Sequence, residues 1–285
     1  MKSHIEKIIT EYKNNIVNSA QYNSFINDVR EYNGYIFKKY RNKASLENEK
    51  IWLQKLMDSK YPSPKIKGTY NQEIIVMEKI EGQSINDNEA KEHLYKIGEL
   101  MANLHNIPIE SCDWKKDIRA EYKELRDSIK DIMEKDILEK ITEFFESKLE
   151  KIKVSRITII HKDLRPENVI CSNGKYYLLD FEIMGIGDAD YDFTRILNLL
   201  NEKEIYQYQD FKNLIDGYRR INDIKISEEK WQLYNKFYAF RIYSKMLNGK
   251  INRSDKYERY LKNILLNEDD RVTEWIRKYN KESID

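Results

Sequence analysis

The spacing of apolar positions separates a first region of short strands from a later region of long helices. Apolar residues at helical spacing predict a first helix in residues 4–12. Two alternating stretches on either side of Asn33-Gly34 predict a β-hairpin, because this dipeptide favours a tight hairpin turn. The apolar run at residues 73–80 predicts a further strand, and the polar sequence EGQS that follows it suits a hinge. The first third of the chain is therefore expected to be rich in strands.

A short helix is predicted between the hairpin and the later strand. Ser45 is its candidate N-cap, since a serine hydroxyl can accept a hydrogen bond from the first turn of a helix. One apolar stripe is formed by Ile51, Trp52, Leu53 and Leu56. The sequence YPSPKI is expected to end the helix, because proline does not continue its hydrogen-bond pattern.

The pattern after Asn86 is mostly helical. Long amphipathic helices are predicted for residues 92–107, 118–152 and 227–247. The exception is the stretch RITIIHKDLRPENVICSNGKYYLLDFEI, which predicts two short strands around the turn Ser172-Asn173-Gly174. We therefore predict an α+β fold with a small lobe, residues 1–82, and a large helical lobe, residues 83–285, joined near residues 78–86.

Charge and cysteine usage exclude several classes of function. The chain has 50 Lys and Arg residues against 49 Asp and Glu residues, so no overall field favours nucleic acid or an anionic membrane. Cys112 and Cys171 lie far apart without metal-ligand spacing, which indicates neither a disulfide framework nor a zinc site. The N-terminal residues lack a continuous apolar run, and no stretch approaches the ~18 apolar residues that would span a bilayer. We expect a cytoplasmic protein.

The sequence HKDLRPEN, residues 161–168, supplies the residue types that phosphoryl transfer to a hydroxyl requires. Asp163 provides a carboxylate that can accept the hydroxyl proton, and Asn168 provides an oxygen ligand for Mg²⁺. Mg²⁺ prefers hard oxygen ligands, so a second carboxylate is expected at the end of a strand. Asp180 in KYYLLDFE is placed for that role. His161 is expected to support the loop by hydrogen bonding and not to take part in the chemistry.

The sequence HKDLRPENVI, followed by LLDFE, resembles the catalytic and metal loops of the protein-kinase superfold. Within it, the chain most resembles the aminoglycoside phosphotransferase and choline kinase group of small-molecule kinases. ELMANLHNI and GDADYDFTRIL are similar to two further segments of that group, in the order that it requires. The resemblance covers most of the chain and implies a bilobal fold, with an antiparallel sheet and a helix in the small lobe. It also implies transfer of the γ-phosphoryl group from ATP or GTP, with Mg²⁺, to a small acceptor.

The resemblance further implies nucleotide-binding residues in the small lobe. The strand after the hairpin turn should supply the lysine that pairs the phosphates, and strand alternation favours Lys38, on the face of Ile36, over Lys39. Glu49 is expected to orient this lysine, with Glu47 as the alternative. The other implied contacts are phosphate donors in the first hairpin and residues around the adenine: Ser24, Asn27, Met77, Glu78 and Ile80.

Some positions depart from the protein-kinase pattern. The first glycine is Gly34, after the hairpin where a glycine-rich phosphate loop would lie, and Glu182 replaces the glycine of the DFG motif. Both departures favour a small-molecule kinase over a protein kinase. Arg165 could steady the transferring phosphoryl group or pair with a surface acid. Asp192 is expected to cap a helix or anchor a loop, and not to act as a catalytic acid.

The acceptor implied by the resemblance is a small, amine-bearing molecule such as an aminoglycoside, which would make the protein an antibiotic-resistance enzyme. The alternative is a choline- or ethanolamine-type kinase, whose cation site would use aromatic residues of the C-terminal helices: Trp231, Tyr234, Tyr238 and Tyr243. Carboxylates lining the cleft would favour the antibiotic, and clustered rings the alternative. A non-catalytic nucleotide-binding module is a further alternative. We expect a monomer or a weak dimer, without a nucleic-acid or membrane partner.

Overall fold

The computed structural model describes residues 4–16, 19–22, 27–110, 112–251, 254–267 and 270–282. Within these residues, five antiparallel strands near the N-terminus form one sheet, in the order β1-β2-β3-β5-β4. The strands are β1 (Ala20–Tyr22), β2 (Asp28–Tyr32), β3 (Tyr35–Lys39), β4 (Ile66–Tyr70) and β5 (Ile74–Glu78). Helix α1 (His4–Asn14) buries Ile8 and Tyr12 against one face of this sheet, where Tyr12 stacks on Phe37. Helix α2 (Lys43–Asp58) follows β3 in the chain.

The predicted hairpin at Asn33-Gly34 is confirmed. Asn33 has a φ of 50° and Gly34 a φ of 74°, the two positive values that a type I′ turn requires. The register pairs Tyr32 with Tyr35 and places Lys38 opposite a residue of β2. The local turn chemistry therefore determines which residues of β3 share a face.

Helix α2 begins earlier than predicted. The side chain of Asn42 accepts a hydrogen bond from Ala44 N at 2.8 Å, so Asn42 and not Ser45 is the N-cap. Both residue types cap helices, and the upstream one is used here. Ile51 is 62% exposed and does not belong to the buried stripe, whereas the other three predicted stripe residues are buried.

The second part of the chain is mostly helical, which confirms the predicted α+β class. Its helices are α3 (Ala90–His105), α4 (Trp114–Ile129), α5 (Lys135–Lys151), α6 (Ala189–Glu202), α7 (Tyr208–Arg219), α8 (Glu228–Leu247), α9 (Asp255–Leu266) and α10 (Arg271–Glu282). No helix among the described residues is both long enough and apolar enough to cross a membrane.

Two predicted helices differ from the observed ones. The single helix expected over residues 118–152 is interrupted at residues 130–134, because the chain turns there and folds α5 back on α4. The ring centroids of Tyr122 and Phe145 consequently lie 4.9 Å apart. Helix α8 was expected to be amphipathic, but it is buried over most of its surface because it packs against α4, α6 and α9.

Short strands in the second part of the chain position the loops that carry the candidate catalytic and metal-binding residues. Strand β6 (Gln83–Ser84), in the predicted hinge sequence, pairs with β8 (Val169–Ser172), and β8 forms the predicted hairpin with β9 (Lys175–Leu178). Strands β7 (Ile157–Ile160) and β10 (Gly185–Asp188) pair with each other. The loop with Asp163 follows β7, and the loop with Asp180 precedes β10.

One apolar core cluster contains residues of both predicted lobes, among them Leu53, Ile75, Leu100 and Leu164. The apolar interior therefore continues from α2 and the sheet into the helical part. The boundary at residue 82 stays a prediction.

Candidate active site

Asp163 and Asn168 lie side by side in the loop that follows β7. A single 3₁₀ turn at Pro166–Asn168 brings the asparagine back towards the aspartate. Asn168 Nδ2 donates to the backbone oxygen of Asp163 at 2.9 Å and lies 3.3 Å from its Oδ2. Since the amide nitrogen is engaged in this way, the Asn168 oxygen remains available as a ligand.

Asp192, in the first turn of α6, anchors this loop from within the core. Its carboxylate accepts hydrogen bonds from the backbone N–H of His161 at 2.8 Å and of Lys162 at 2.7 Å. His105 Nε2 lies 3.2 Å from the same carboxylate. Burial alone would raise the pKa of Asp192, but His105 and the donated hydrogen bonds outweigh burial and lower the pKa. Asp192 is therefore a charged loop anchor, one of the two roles predicted for it.

His161 links the loop that carries Asp163 to the loop that carries Asp180. Its Nε2 lies 2.8 Å from the carbonyl oxygen of Leu179, which can only accept, so Nε2 carries the proton. Its Nδ1 then accepts from the backbone N–H of Asp163 at 3.3 Å. With both ring nitrogens engaged, His161 has the supporting position that was expected from the sequence.

Lys38 reaches the same region from the sheet. It is only 7% exposed, and its Nζ lies 2.6 Å from Glu49 Oε2 and 2.6 Å from Asp180 Oδ1. Lys39 points to the opposite face of β3, where its exposed side chain lies 3.4 Å from Glu73. The alternation of side chains along the strand thus brings Lys38, and not Lys39, to Asp180.

Glu49 is buried at the point where α2, β3 and the loop after β9 meet. Besides Lys38, its carboxylate accepts the hydroxyl of Tyr40 and lies 3.3 Å from the backbone N–H of Phe181. The alternative residue, Glu47, is half-buried and lies 3.7 Å from Lys50. Only Glu49 of these two glutamates contacts Lys38.

Burial and the neighbouring charges shift the pKa values of Lys38, Asp180 and Glu182. Desolvation lowers the pKa of Lys38, but the carboxylates of Glu49, Asp180 and Glu182 outweigh it and raise the pKa above its usual value. Burial raises the pKa of Asp180, yet Lys38 outweighs burial and lowers it. The pKa of Glu182 is raised, first by burial and then by its neighbour Asp180, against the opposing effect of Lys38. The lysine is therefore a permanent cation in a cluster of carboxylates.

A cavity of about 760 Å³ opens over this cluster, between the sheet and the loop that carries Asp163 and Asn168. This volume lies within the range of pockets that bind cofactors and small ligands. Predicted site residues in its lining are Asn27, Lys38, Glu49, Met77, Glu78, Ile80, Asp163, Arg165, Asn168 and Asp180. The predicted residue Ser24 lies outside the described residues.

The lining residues differ in what they offer to a nucleotide. The backbone N–H of Glu78 already donates to Lys65 O at 3.0 Å, so it is not available to a base. No acceptor for the Ile80 N–H occurs among the described residues. Asn27 Nδ2 donates to Glu182 Oε2 at 2.7 Å, so this predicted phosphate donor contacts the loop that carries Asp180 and Glu182.

The oxygen donors near Asp180 fit a divalent cation. Ligand oxygens of Glu49, Asp180 and Glu182 lie within 4.8 Å of one another. Both oxygens of Glu49 are engaged, Oε2 by Lys38 and Tyr40 and Oε1 by the Phe181 N–H. Lys38 contacts only Oδ1 of Asp180, and Asn27 donates only to Oε2 of Glu182, so each of these carboxylates keeps a second oxygen for a cation, beside the Asn168 oxygen. Hard oxygen donors of this kind are what Mg²⁺ prefers.

Comparison with known proteins places the chain in a family. The model of the phosphotransferase enzyme family matches residues 18–222. The chain belongs to this family. The resemblance found in the sequence is thereby confirmed. A comparison with the sequences of curated proteins gives no match.

Solved structures of the same kind share the fold of this phosphotransferase. A choline/ethanolamine kinase family protein from Mesorhizobium loti has a TM-score of 0.70 at 12% identity, covering 94% of this chain and 97% of its own. APH(2″)-IIa, solved with gentamicin, has a TM-score of 0.68 at 18% identity, covering 93% and 97%. Amicoumacin kinase hAmiN, solved with AMP-PNP and Ca²⁺, has a TM-score of 0.66 at 15% identity, covering 93% and 96%. The predicted bilobal kinase-like fold is confirmed.

One contact of the candidate site was not predicted from the sequence. Arg195 Nε lies 3.3 Å from Asp163 Oδ1, while Arg165 Nε lies 3.4 Å from Oδ2. Arg195 is on α6, far from the catalytic motif in the chain. The sequence feature that could have indicated this contact is the spacing of Arg195 three residues after Asp192, because residues at that spacing are neighbours on one helix face.

The four aromatic residues that would form a cation site do not gather around the cavity. Trp231, Tyr234 and Tyr243 are buried in the core, where Tyr234 donates to Asp188 at 2.8 Å. Of these four rings, only that of Tyr238 lies near the site, 5.6 Å from the guanidinium carbon of Arg195, whose Nε contacts Asp163. An aromatic cage built from these four rings is therefore not present.

Proposed function

We propose that this phosphotransferase is an ATP- and Mg²⁺-dependent kinase that phosphorylates a hydroxyl of a small molecule. The supporting observation is that Lys38, Asp180 and the Asp163-Asn168 pair line one cavity, although they come from distant parts of the sequence. This is the set of a phosphate-binding cation, metal ligands and a base that phosphoryl transfer requires. A non-catalytic module would have no need for all of them.

Each residue has a distinct role in the proposal. Lys38, oriented by Glu49, pairs with the α- and β-phosphates, while the Ile80 N–H and the Met77 side chain contact the base. Asn168 and Asp180 hold Mg²⁺, which when bound neutralises charge on the phosphate oxygens. The same contacts suit ATP or GTP.

Asp163 acts as the base in the transfer. The acceptor oxygen forms a bond to the γ-phosphorus, the bond from that phosphorus to the β–γ bridging oxygen breaks, and the nucleoside diphosphate leaves. The proton of the acceptor hydroxyl passes to a carboxylate oxygen of Asp163. Arg165, which lies beside Oδ2, is close enough to the cavity to contact the transferring group.

The fold neighbours support amine-bearing acceptors as the first to test. The names of two neighbours include gentamicin and amicoumacin, and a third is a choline/ethanolamine kinase family protein. An aminoglycoside would make the protein an antibiotic-resistance enzyme, and choline or ethanolamine is the alternative. The missing aromatic cage weighs against choline.

The test is nucleotide consumption coupled to product detection. Purified protein is incubated with ATP or GTP, with and without Mg²⁺, and with a panel of hydroxyl compounds that includes aminoglycosides, choline and ethanolamine. We expect release of nucleoside diphosphate and one phosphorylated product, both dependent on Mg²⁺ and lost in Asp163→Asn. Nucleotide binding without transfer to any hydroxyl compound would instead indicate a non-catalytic binding module.

A further inference from the structure

Two arginines hold the proposed base Asp163 from different elements. Arg195, on α6, donates from its Nε to Oδ1 of the base at 3.3 Å. Arg165 lies two residues after the base in the same loop, and its Nε is 3.4 Å from Oδ2. Asn168 Nδ2 lies 3.3 Å from the same Oδ2. Each oxygen of the carboxylate therefore has its own arginine, one from a helix and one from the loop.

The two arginines differ in their surroundings. Arg165 lines the cavity, and its Nε is buried without a hydrogen-bond partner among the described residues. Such a donor is available to a phosphate oxygen of a nucleotide in the cavity. The described residues that line the cavity do not include Arg195. Its guanidinium carbon lies 5.6 Å from the centre of the Tyr238 ring, and only 19% of its side chain is exposed. Arg195 therefore contacts the base from outside the cavity.

Helix α6 holds the loop that carries Asp163 at two successive positions. Asp192 accepts hydrogen bonds from the backbone N–H groups of His161 and Lys162. Arg195 follows three residues later, and residues at this spacing are neighbours on one helix face. The same face thus fixes both the backbone of the loop and the side chain of Asp163. Since α6 is buried over most of its length, it is a rigid support, and packed helices position side chains more precisely than loops do.

An aspartate needs such a partner if it is to act as a base. The torsion that rotates its carboxylate has only broad preferences, so neighbouring groups determine where the two oxygens point. A general base must have an oxygen within hydrogen-bond reach of the proton that it removes. One carboxylate oxygen can accept about two hydrogen bonds, so Oδ1 can receive a proton while Arg195 still donates to it. The arginine can therefore orient the base without blocking it.

We propose that Arg195 is a positioning residue for the base, which holds the Asp163 carboxylate from α6 while Arg165 turns to the phosphates of the bound nucleotide. The inference rests on the phosphotransfer proposed above, in which the proton of the acceptor hydroxyl passes to Asp163. It gives the two arginines different roles. Loss of Arg165 removes a contact to the nucleotide, whereas loss of Arg195 leaves nucleotide binding intact and the base without its fixed orientation.

The two roles predict different kinetics. Turnover of Mg²⁺-ATP is measured with kanamycin, choline, ethanolamine or water as the acceptor, and the acceptor with the highest wild-type rate is used for all variants. Arg195→Met should lower kcat by about 10- to 100-fold, the loss expected for a hydrogen bond between charged groups. The Kd of Mg²⁺-AMP-PNP, measured by calorimetry, should change less than about twofold in this variant, because the loss affects the transfer and not the binding. Arg165→Met should raise that Kd as well as lower kcat.

A double variant shows whether Arg195 acts through Asp163. If the arginine only positions the base, Arg195→Met should have almost no further effect on kcat in protein that already carries Asp163→Asn. Arg195→Lys keeps a charged donor and should retain more kcat than Arg195→Met. The matched control is Arg219→Met on α7, where the guanidinium carbon likewise lies near a tyrosine ring, 5.9 Å from the centre of Tyr279. This control should leave kcat unchanged.

The outcomes separate the positioning role from the proposed function. An unchanged kcat in Arg195→Met, or a defect that adds fully to that of Asp163→Asn, would overturn the positioning role while leaving the kinase proposal in place. A loss of nucleotide affinity as large as the loss of kcat would overturn it as well. Failure of the wild-type protein to transfer phosphate to any of these acceptors would refute the proposed function, and the positioning role with it. If thermal unfolding shows that Arg195→Met is not folded, Arg195→Lys, the milder change, is compared in the same way.

Discussion

Lys38 and Glu49 form a buried ion pair in which Nζ lies 2.6 Å from Oε2. The lysine comes from β3 and the glutamate from α2, and the same glutamate accepts from the Tyr40 hydroxyl and the Phe181 backbone. One carboxylate thus connects the sheet, the helix and the loop that carries Asp180. The position of the lysine over the cavity depends on this pair.

Replacing Lys38 with Met should raise the nucleotide KM and lower turnover, with kcat/KM falling by about 10- to 100-fold, because a charged contact to phosphate is lost. Lys39→Met should change kcat/KM less than about twofold, since exposed ion pairs contribute little. Steady-state kinetics with varied nucleotide measures both. The two substitutions are matched in residue type and strand, so a difference between them reports on the site.

The double variant Lys38→Met with Glu49→Gln provides the internal control. Its defect should be much smaller than the sum of the two single defects, because removing either residue already breaks the pair. Full additivity, or a larger defect in Lys39→Met than in Lys38→Met, would contradict the assignment of the lysine.

Asp163→Asn should lower turnover by about 10² to 10⁴, the usual contribution of a positioned base, while nucleotide affinity stays nearly unchanged. Asparagine keeps an oxygen for the contacts to Arg195 and Asn168 but cannot take up the proton. Single-turnover phosphoryl transfer and calorimetric nucleotide titration measure the two quantities separately. Normal turnover in this variant, with the true acceptor, would show that another group is the base.

Local sequence patterns were sufficient for several parts of this arrangement. The type I′ turn at Asn33-Gly34 sets the register of β3, and alternation from that register places Lys38 on the cavity face. Asp163 and Asn168 are close because only five positions separate them in one tight loop. Such features depend on turn chemistry and short spacing, which a single sequence contains.

Other parts depend on packing that no local pattern encodes. Arg195 contacts Asp163 because α6 packs next to the loop that carries Asp163, and Asn27 contacts Glu182 although 155 positions separate them in the sequence. The break between α4 and α5 follows from the return of Phe145 onto Tyr122, although a continuous periodic pattern predicted one helix. In each case a tertiary contact decides between local alternatives of similar stability.

Asp180→Ala should weaken binding of Mg²⁺-ATP much more than binding of ATP without metal, because the proposed role of Asp180 is that of a metal ligand. Asn168→Ala should act in the same direction but more mildly, since a neutral oxygen ligand is lost. Nucleotide titrations with Mg²⁺ and with a chelator give the comparison. Equal losses under both conditions would place Asp180 outside the metal site and leave it only the contact to Lys38.

Asp192→Asn should destabilise the fold by about 2–4 kcal/mol at pH 7, because it removes a buried charge that accepts two backbone hydrogen bonds and contacts His105. The folded-state pKa of Asp192 is lowered, so its contribution is complete above the unfolded-state pKa and is lost as pH falls through the folded-state pKa. Urea unfolding from pH 7 downwards should therefore show the wild-type and variant free energies converging below about pH 4. The exposed Asp127→Asn serves as control and should differ little from wild type throughout. A destabilisation by Asp192→Asn that stays constant down to acid pH would mean that the anchor works through its shape and hydrogen bonds and not through its charge.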